Sequence, residues 1–379
     1  MQAYFDNSAT TKPLPEAVDA MTRALTDNWG NPSSLHAIGD RANRLLEDAR
    51  RTLAEALSCK PAEVIFTAGG TESNNIAIMG TVEALKRRGD RIVTCGIEHP
   101  SVKGCMKRLQ EQGFDVVWLP VDSAGRVSEA DIYDAVNEKT ILVSLMLVNN
   151  EVGSIMPVEA AAKAMKKAKA PGYVHVDAVQ GFGKLPVGPK ALGADLISVS
   201  SHKVHGPKGV GALYVRKGVR LVSPVLGGGQ EDKVRPGTEP MPAIAGFAAA
   251  VRHGVLQGDL KERIAHVTVL RDIIRDAALE TGIGAINSGD DALPYILNLS
   301  LVGIPSEVLR NFLSERGVCV STGSACSKGN RSVVLTQMDL PTRQIDAALR
   351  FSFSASNTEE EARYAAELLK EAANTLRRG

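Results

Sequence analysis

The chain has 379 residues, 44% of them hydrophobic and 23% charged, with a formal net charge of +1. That length accommodates two domains of ordinary size, and the balance is that of a soluble globular protein. A charge this close to zero gives no electrostatic ground for binding nucleic acid or an anionic membrane. The longest apolar stretch, Ile141 to Val148, falls far short of the roughly 20 residues a spanning helix needs. The start, Met1-Gln2-Ala3-Tyr4-Phe5, has no basic segment leading into an apolar core, so no secretory signal and a cytoplasmic location are expected. The five cysteines, Cys59, Cys95, Cys105, Cys319 and Cys326, are odd in number and contain no CxxC. Their spacing points to neither a zinc site nor a disulfide framework, and free thiols in a reducing compartment are expected.

In chain order, Pro13 to Asn28 reads as a first helix and Asp40 to Ser58 as a longer amphipathic one. An alternation follows. Strands are predicted at Val64–Thr67, Arg91–Cys95, Val116–Val121, Ile141–Val148, Tyr173–Val176, Leu196–Val199 and Gly211–Val215. The helices between them are predicted at Thr71–Arg88, Ser101–Gln112, Glu129–Val136 and Val158–Lys169. Short apolar strands alternating with helices describe an α/β fold with a mostly parallel sheet covered on both faces. After Gly254 the helices lengthen and the strands thin out. Helices are expected at Leu260–Leu279, Glu307–Arg316 and Thr358 to about Arg377, and strands at Ile296–Leu301, Val318–Ser321 and Arg350–Ser354. Thr358 and Glu361 have capping-box spacing. The expected organisation is a large domain over residues 16–255, with residues 1–15 and 256–379 forming a smaller α+β domain.

Ligands of open α/β sheets bind beyond the carboxyl ends of the strands, so the residues that follow each strand are informative. After Thr67 comes Ala68-Gly69-Gly70-Thr71, a glycine turn opening a helix, where free N–H groups and the Thr71 hydroxyl make an anion site. The next strand ends lead to Glu98-His99-Pro100, Asn149-Asn150-Glu151, Asp177-Ala178-Val179-Gln180 and Ser200-Ser201-His202-Lys203. A lysine flanked by phosphate ligands suits a Schiff base to an aldehyde cofactor that carries a phosphate. Pyridoxal 5'-phosphate asks for this whole set. Lys203 takes the aldehyde, and Asp177 keeps the pyridine nitrogen protonated. Asn150 and Gln180 offer amides to the phenolic oxygen, while Gly70, Thr71, Ser200 and His202 serve the phosphate. His99 offers a flat imidazole to stack on the ring and to move protons near neutral pH. Taken singly, Asp177 also reads as a helix N-cap and His99 as the residue capping the helix at Ser101.

Several runs together carry a resemblance. They are Phe5-Asp6-Asn7-Ser8-Ala9-Thr10-Thr11, Gly69-Gly70-Thr71-Glu72-Ser73-Asn74, Glu98-His99, Asn149-Asn150-Glu151-Val152-Gly153, His175-Val176-Asp177-Ala178, Ser200 to Gly209 and Arg235-Pro236-Gly237-Thr238. Over nearly the whole chain they resemble the cysteine desulfurases and, more widely, the class V, fold-type I pyridoxal-phosphate enzymes. The resemblance implies a homodimer in which Thr238 reaches the phosphate of the partner subunit's cofactor. It also favours Arg350 as the residue that binds the α-carboxylate of an amino acid, a task to which a guanidinium fork is suited.

Cys326 lies in a small, polar, glycine-rich segment from Ser321 to Asn330, unlike a core cysteine, whereas Cys319 in Val318-Cys319-Val320 is expected to be buried. A thiol on an accessible loop can attack a substrate sulfur and carry it elsewhere, and Lys328 would help lower its pKa. The run Gly323-Ser324-Ala325-Cys326 is similar to the persulfide-forming loop of the NifS/IscS type. The expected reaction is pyridoxal-phosphate-dependent conversion of L-cysteine to L-alanine. Lys203 moves the α-proton, and a persulfide on Cys326 awaits a sulfur-acceptor protein of iron–sulfur cluster assembly or tRNA thiolation. One departure stands out, since Arg331-Ser332-Val333-Val334-Leu335 lacks the proline the family carries before the serine. Another class V enzyme, such as an aminotransferase or selenocysteine lyase, would keep Lys203 and Asp177 without needing Cys326. A non-catalytic sulfur carrier or scaffold of the same fold would bind no cofactor.

Overall fold

The computed structural model describes residues 1–322 and 331–376. Its strands are β1 (Ala3–Tyr4), β2 (Val64–Thr67), β3 (Arg91–Cys95), β4 (Asp115–Leu119), β5 (Thr140–Met146), β6 (Tyr173–Asp177), β7 (Leu196–Ser200), β8 (Gly211–Val215), β9 (Gly284–Ile286), β10 (Ile296–Leu301), β11 (Val318–Cys319) and β12 (Ala348–Ser352). Seven of them form the main sheet in the order β2-β8-β7-β6-β5-β3-β4. The ladders β3 to β4, β3 to β5, β5 to β6 and β6 to β7 are parallel, whereas β8 runs against both β7 and β2. The reversal of β8 between two antiparallel neighbours leaves β2 pointing the same way as the other five. Their carboxyl ends therefore share one edge.

The central strands are apolar runs buried on both faces, as a parallel sheet sandwiched by helices requires. All seven residues of β5 are buried, including Thr140 and Ser144. Polar groups in this layer are not all paired: Thr94 Oγ1 of β3 has no hydrogen-bond partner among the described residues, whereas the buried imidazole of β6 is held on both sides. His175 of β6 lies between the hydroxyls of Ser144 and Ser198, at 2.8 and 2.9 Å, and burial pulls its imidazole down to about 3, so it stays neutral. Gly211 opens β8 opposite both Thr67 and Ser200. A Cβ there would sit 2.6 Å from the Val199 carbonyl oxygen and 2.7 Å from Gly69 Cα, so the sheet edge closes only over a glycine.

The C-terminal strands form a second, antiparallel sheet in the order β12-β10-β9. The N-terminus joins them: β1 pairs in parallel with β11, and Asp6 bridges Ser352. The rings of Phe5 and Phe353 meet edge-on with centroids 5.5 Å apart, and one apolar cluster runs from these rings through to Phe66 and Val176 of the main sheet. The last helix spans Glu359–Thr375 and begins at the capping box of Thr358 and Glu361. Its predicted end at Arg377 lies outside the described residues.

Three local expectations are corrected. The strand predicted from Arg350 starts two residues earlier, because Ala348 and Leu349 pair with Ser300 and Leu299 of β10; Arg350 is thus mid-strand. The strand predicted over Val318–Ser321 stops at Cys319, beyond which Ser321 makes an isolated bridge to Arg350. Cys319 itself is only partly buried, because its two-residue strand pairs with β1 alone.

Glu231, Asp232 and Lys233 are three consecutive non-glycine residues with left-handed backbone, at φ of 45°, 53° and 62°. Each such residue costs on the order of 1 kcal/mol. The buried Glu231 carboxylate offsets this by accepting both terminal nitrogens of Arg50, at 2.9 and 2.7 Å, and the Phe66 N–H of β2 at 2.7 Å. Glu231→Ala leaves a half-buried guanidinium, still bonded to Glu47 and the Val64 carbonyl, and a strand N–H without this acceptor. It should cost about 3–5 kcal/mol, read as a lower denaturant midpoint at unchanged slope. A midpoint within error of the parent would contradict that role.

Candidate active site

The shared carboxyl edge of the main sheet gathers the chemistry. At the end of β7, Ser200 enters a single 3-10 turn, Ser201–Lys203, which turns Lys203 back toward the N-terminal segment. The Lys203 ammonium donates to the carbonyl of Ser8 and, at 2.9 Å, to that of Ala9. Burial lowers its pKa to about 7; the cations of Lys184 and Arg350 push the same way, against Asp6 and Asp177. Close to neutrality, a large share of this amine is therefore unprotonated and nucleophilic.

Asp177 ends β6 and is 6% exposed. One carboxylate oxygen accepts the Val179 N–H at 3.0 Å, so it does cap the following turn, and the other accepts the Asn74 amide at 2.7 Å. Burial pushes its pKa up. The Val179 and Asn74 hydrogen bonds and the charges of His99 and Lys203 draw it back. His99 caps the helix Pro100–Glu111, its Nδ1 accepting the Ser101 N–H at 3.2 Å and lying 2.8 Å from the Ser101 hydroxyl. Partial enclosure pulls the imidazole pKa down; Asp177 opposes this, while Lys203 and Lys103 add to it. Capping and a place facing Asp177 and Lys203 are thus combined in one side chain.

Beside them, β2 ends in the turn at Gly69, whose φ of 148° only glycine adopts readily, and the helix Gly70–Leu85 starts there without a side-chain cap. Gly70 packs so closely that a Cβ would lie 2.7 Å from Val179 and 3.6 Å from Ser200 Cβ. This is an uncapped helix N-terminus flanked by the Ser200 side chain, with Thr71 exposed on its first turn, and it is the donor arrangement a phosphate takes. His202 contacts the Thr10 hydroxyl at 3.2 Å, and burial beside Lys203 lowers its imidazole to about 4. Gln180 is buried and donates its amide to the Ser8 carbonyl at 3.0 Å, the same oxygen that Lys203 uses.

Arg350 reaches this region from β12. It is 3% exposed. Its terminal nitrogens donate to Asp6 and to the Asn150 carbonyl, both at 2.8 Å. The remaining donor, Nε, is buried without a hydrogen-bond partner among the described residues, as are Ser8 Oγ and Asn74 Oδ1. Thr238 is exposed, and its segment is tied to the helix Gly70–Leu85 by the ion pair of Arg235 with Glu72 at 3.2 Å. Cys326 and Lys328 lie outside the described residues. Ser332, whose neighbour departs from the family pattern, caps the helix Val333–Gln337 and donates to the buried Glu151 carboxylate at 2.5 Å.

Sequence reasoning gave no role to Asp6, Asn74, Glu98, Lys184 or the carbonyls of Ser8 and Ala9. Glu98 is 2% exposed and accepts the Met146 N–H at 2.7 Å; burial, aided by the charge of Asp177, pushes its carboxyl up to about 8. A signal for Asp6 and Ser8 existed in the run Phe5 to Thr11, which carried the resemblance but suggested no chemistry.

The residues present fit pyridoxal phosphate. A buried carboxylate whose two oxygens already hold neutral donors is suited to a protonated ring nitrogen. The uncapped helix start beside Ser200 suits a phosphate, and the near-neutral amine of Lys203 suits an aldehyde.

The family model described as aminotransferase class-V matches residues 3–364 of the chain. The cysteine desulfurase IscS of Dictyoglomus turgidum is 38% identical over 380 residues, covering 99% of this chain and 95% of that protein. A putative cysteine desulfurase, IscS 1 of Bacillus subtilis, is 40% identical over 370 residues, covering 96% of each. Among solved structures, a NifS-like protein has a TM-score of 0.93 at 38% identity, covering 99% of this chain and all of that one. SspA in complex with cysteine has a TM-score of 0.83 at 33% identity, with 94% of this chain and all of that one covered. Among the described residues, no helix is long and apolar enough to cross a membrane.

Proposed function

The chain belongs to the class V aminotransferase family and is a cysteine desulfurase, and from that premise we propose how its residues divide the work. Lys203 anchors pyridoxal 5'-phosphate, Asp177 pairs with its ring nitrogen, and His99 covers the ring. Gly70, Thr71, Ser200 and His202 hold the phosphate, and Asn150 and Gln180 face the phenolic oxygen. When bound, the cofactor supplies a sink for the negative charge that develops at the substrate α-carbon. Arg350 receives the carboxylate of L-cysteine, with Nε the donor that no described residue occupies. Lys203, about half of whose amine is neutral near pH 7, accepts the α-proton.

Cys326 then acts on the substrate sulfur. Its thiolate forms the sulfur–sulfur bond as the substrate carbon–sulfur bond breaks. The carbon keeps the electron pair and is protonated, leaving L-alanine and a persulfide on Cys326 for a sulfur-acceptor protein of iron–sulfur cluster assembly or tRNA thiolation. The reading extends to a cytoplasmic homodimer with Thr238 at the subunit contact, and to residues 16–255 as the cofactor-binding domain with 1–15 and 256–379 as the smaller one.

The observation that carries this reading is the meeting at one sheet edge of a buried carboxylate, Asp177, and a lysine held near neutrality, Lys203. The test is Cys326→Ser. It should bind the cofactor as the parent does yet lose sulfide and alanine production from L-cysteine by at least about 100-fold. Full retention of desulfuration would remove Cys326 from the reaction. An equal turnover of a panel of other amino acids by the parent would favour an aminotransferase.

A further inference from the structure

Lys184 follows β6 by seven residues and looks in the sequence like an ordinary surface lysine. In the fold it is 7% exposed. Its Nζ lies 3.4 Å from Gln180 Oε1 and 5.7 Å from the centroid of the Tyr295 ring, and it has no carboxylate in ion-pair reach among the described residues. A buried ammonium this thinly partnered carries a desolvation cost that its own contacts do little to offset. The neighbours form a continuous chain of contacts. Lys184 donates to Gln180 Oε1, Gln180 Nε2 donates to the Ser8 carbonyl at 3.0 Å, and the same carbonyl accepts the Lys203 ammonium.

We propose that Lys184 is a positioning residue for the reaction: it orients the Gln180 amide, and through its charge it holds the Lys203 amine in the neutral, nucleophilic form. The inference rests on the reading of Lys203 as the cofactor anchor. Two consequences follow from the contacts. Because Oε1 is taken by Lys184, the Gln180 NH2 must face Ser8 and the site; a neutral residue at 184 frees the amide to turn over. Because Lys184 and Arg350 are the cations facing Lys203, with Asp6 and Asp177 the opposing anions and His99 and His202 the flanking imidazoles, removing Lys184 tips that balance toward the protonated amine. Lys184 is itself lowered only to about 8, by burial and by Arg350, so it still carries charge at the pH where Lys203 titrates.

The experiment follows attachment of added pyridoxal phosphate to the full chain freed of cofactor. Borohydride fixes the adduct, and peptide mass locates it on Lys203, across the range from about pH 6 to about pH 10. The neutral amine is the reacting form, so attachment rises with pH, and in the parent it reaches half its maximum near pH 7. Lys184→Met should move that midpoint up by about one pH unit, while Lys184→Arg keeps it in place. Lys184→Gln gives the same reading should the methionine variant fold poorly. Neutral variants that titrate together with the parent would overturn the inference while leaving Lys203 as the anchor. A parent that fixes nothing on Lys203 would overturn the anchor assignment itself.

Discussion

Lys203→Ala is expected to leave no cofactor that borohydride can fix to position 203 and to lower alanine formation from L-cysteine by at least about 1,000-fold. The size follows from the two tasks proposed for this one amine. It provides the covalent attachment, and as a positioned base it contributes about 100- to 10,000-fold by itself. The substitution should not harm the fold. The turn at Ser201–Lys203 is closed by main-chain bonds, Val204 N–H to Ser201 and Gly206 N–H to Ser201, and relief of the amine's burial penalty offsets the loss of its bonds to the Ser8 and Ala9 carbonyls. The unfolding midpoint should therefore stay close to that of the parent. Turnover surviving with the cofactor fixed to another lysine would contradict the assignment; Lys184, buried and close to the same carbonyl system, is the first place to look.

The sheet edge was legible because each of its strands is a short apolar run bounded by glycine, proline or a polar turn, and five such runs end in chemically informative residues. The strands β2, β3, β8 and β10 fall where the pattern puts them. The direction of β8 was not legible, since an apolar run reads the same whichever way it pairs; only the ladders of Gly211 to Thr67 and Ser200 reveal it. The helix Met241–Val251, MPAIAGFAAAV, escaped because it is apolar nearly all round and so carries no amphipathic period. The strands β1 and β9 are too short to show any period.

Within the site, residue type picked out the side chains whose proposed roles rest on their own chemistry. It could not reveal those that act by position. The Ser8 and Ala9 carbonyls hold Lys203 through main-chain atoms that any residue possesses. Asp6 and Arg350 are 344 residues apart in sequence and meet only because β12 lies alongside the N-terminal segment. Lys184 differs from a solvated lysine by burial alone, which a lone lysine in a sequence does not announce.

Asp177→Asn should separate attachment of the cofactor from its use. The new amide can keep the cap on Val179 N–H through its oxygen. Its NH2 then meets the Asn74 NH2, but Asn74 Oδ1 is buried without a partner, so rotation of the Asn74 amide restores a donor–acceptor pair. The structure survives and the charge does not. Without a carboxylate to pair with, a protonated ring nitrogen loses its counter-charge in a buried site, and the α-proton becomes correspondingly harder to remove. Turnover should fall by about 1,000-fold, or about 4 kcal/mol in the barrier, while borohydride still fixes the cofactor on Lys203. The same change removes an anion that raises the pKa of both Lys203 and His99, so the pH at which Lys203 becomes reactive should move down, opposite to the shift expected at Lys184. Alanine formation equal to that of the parent, with the cofactor in place, would mean that Asp177 serves only as the cap of the turn after β6.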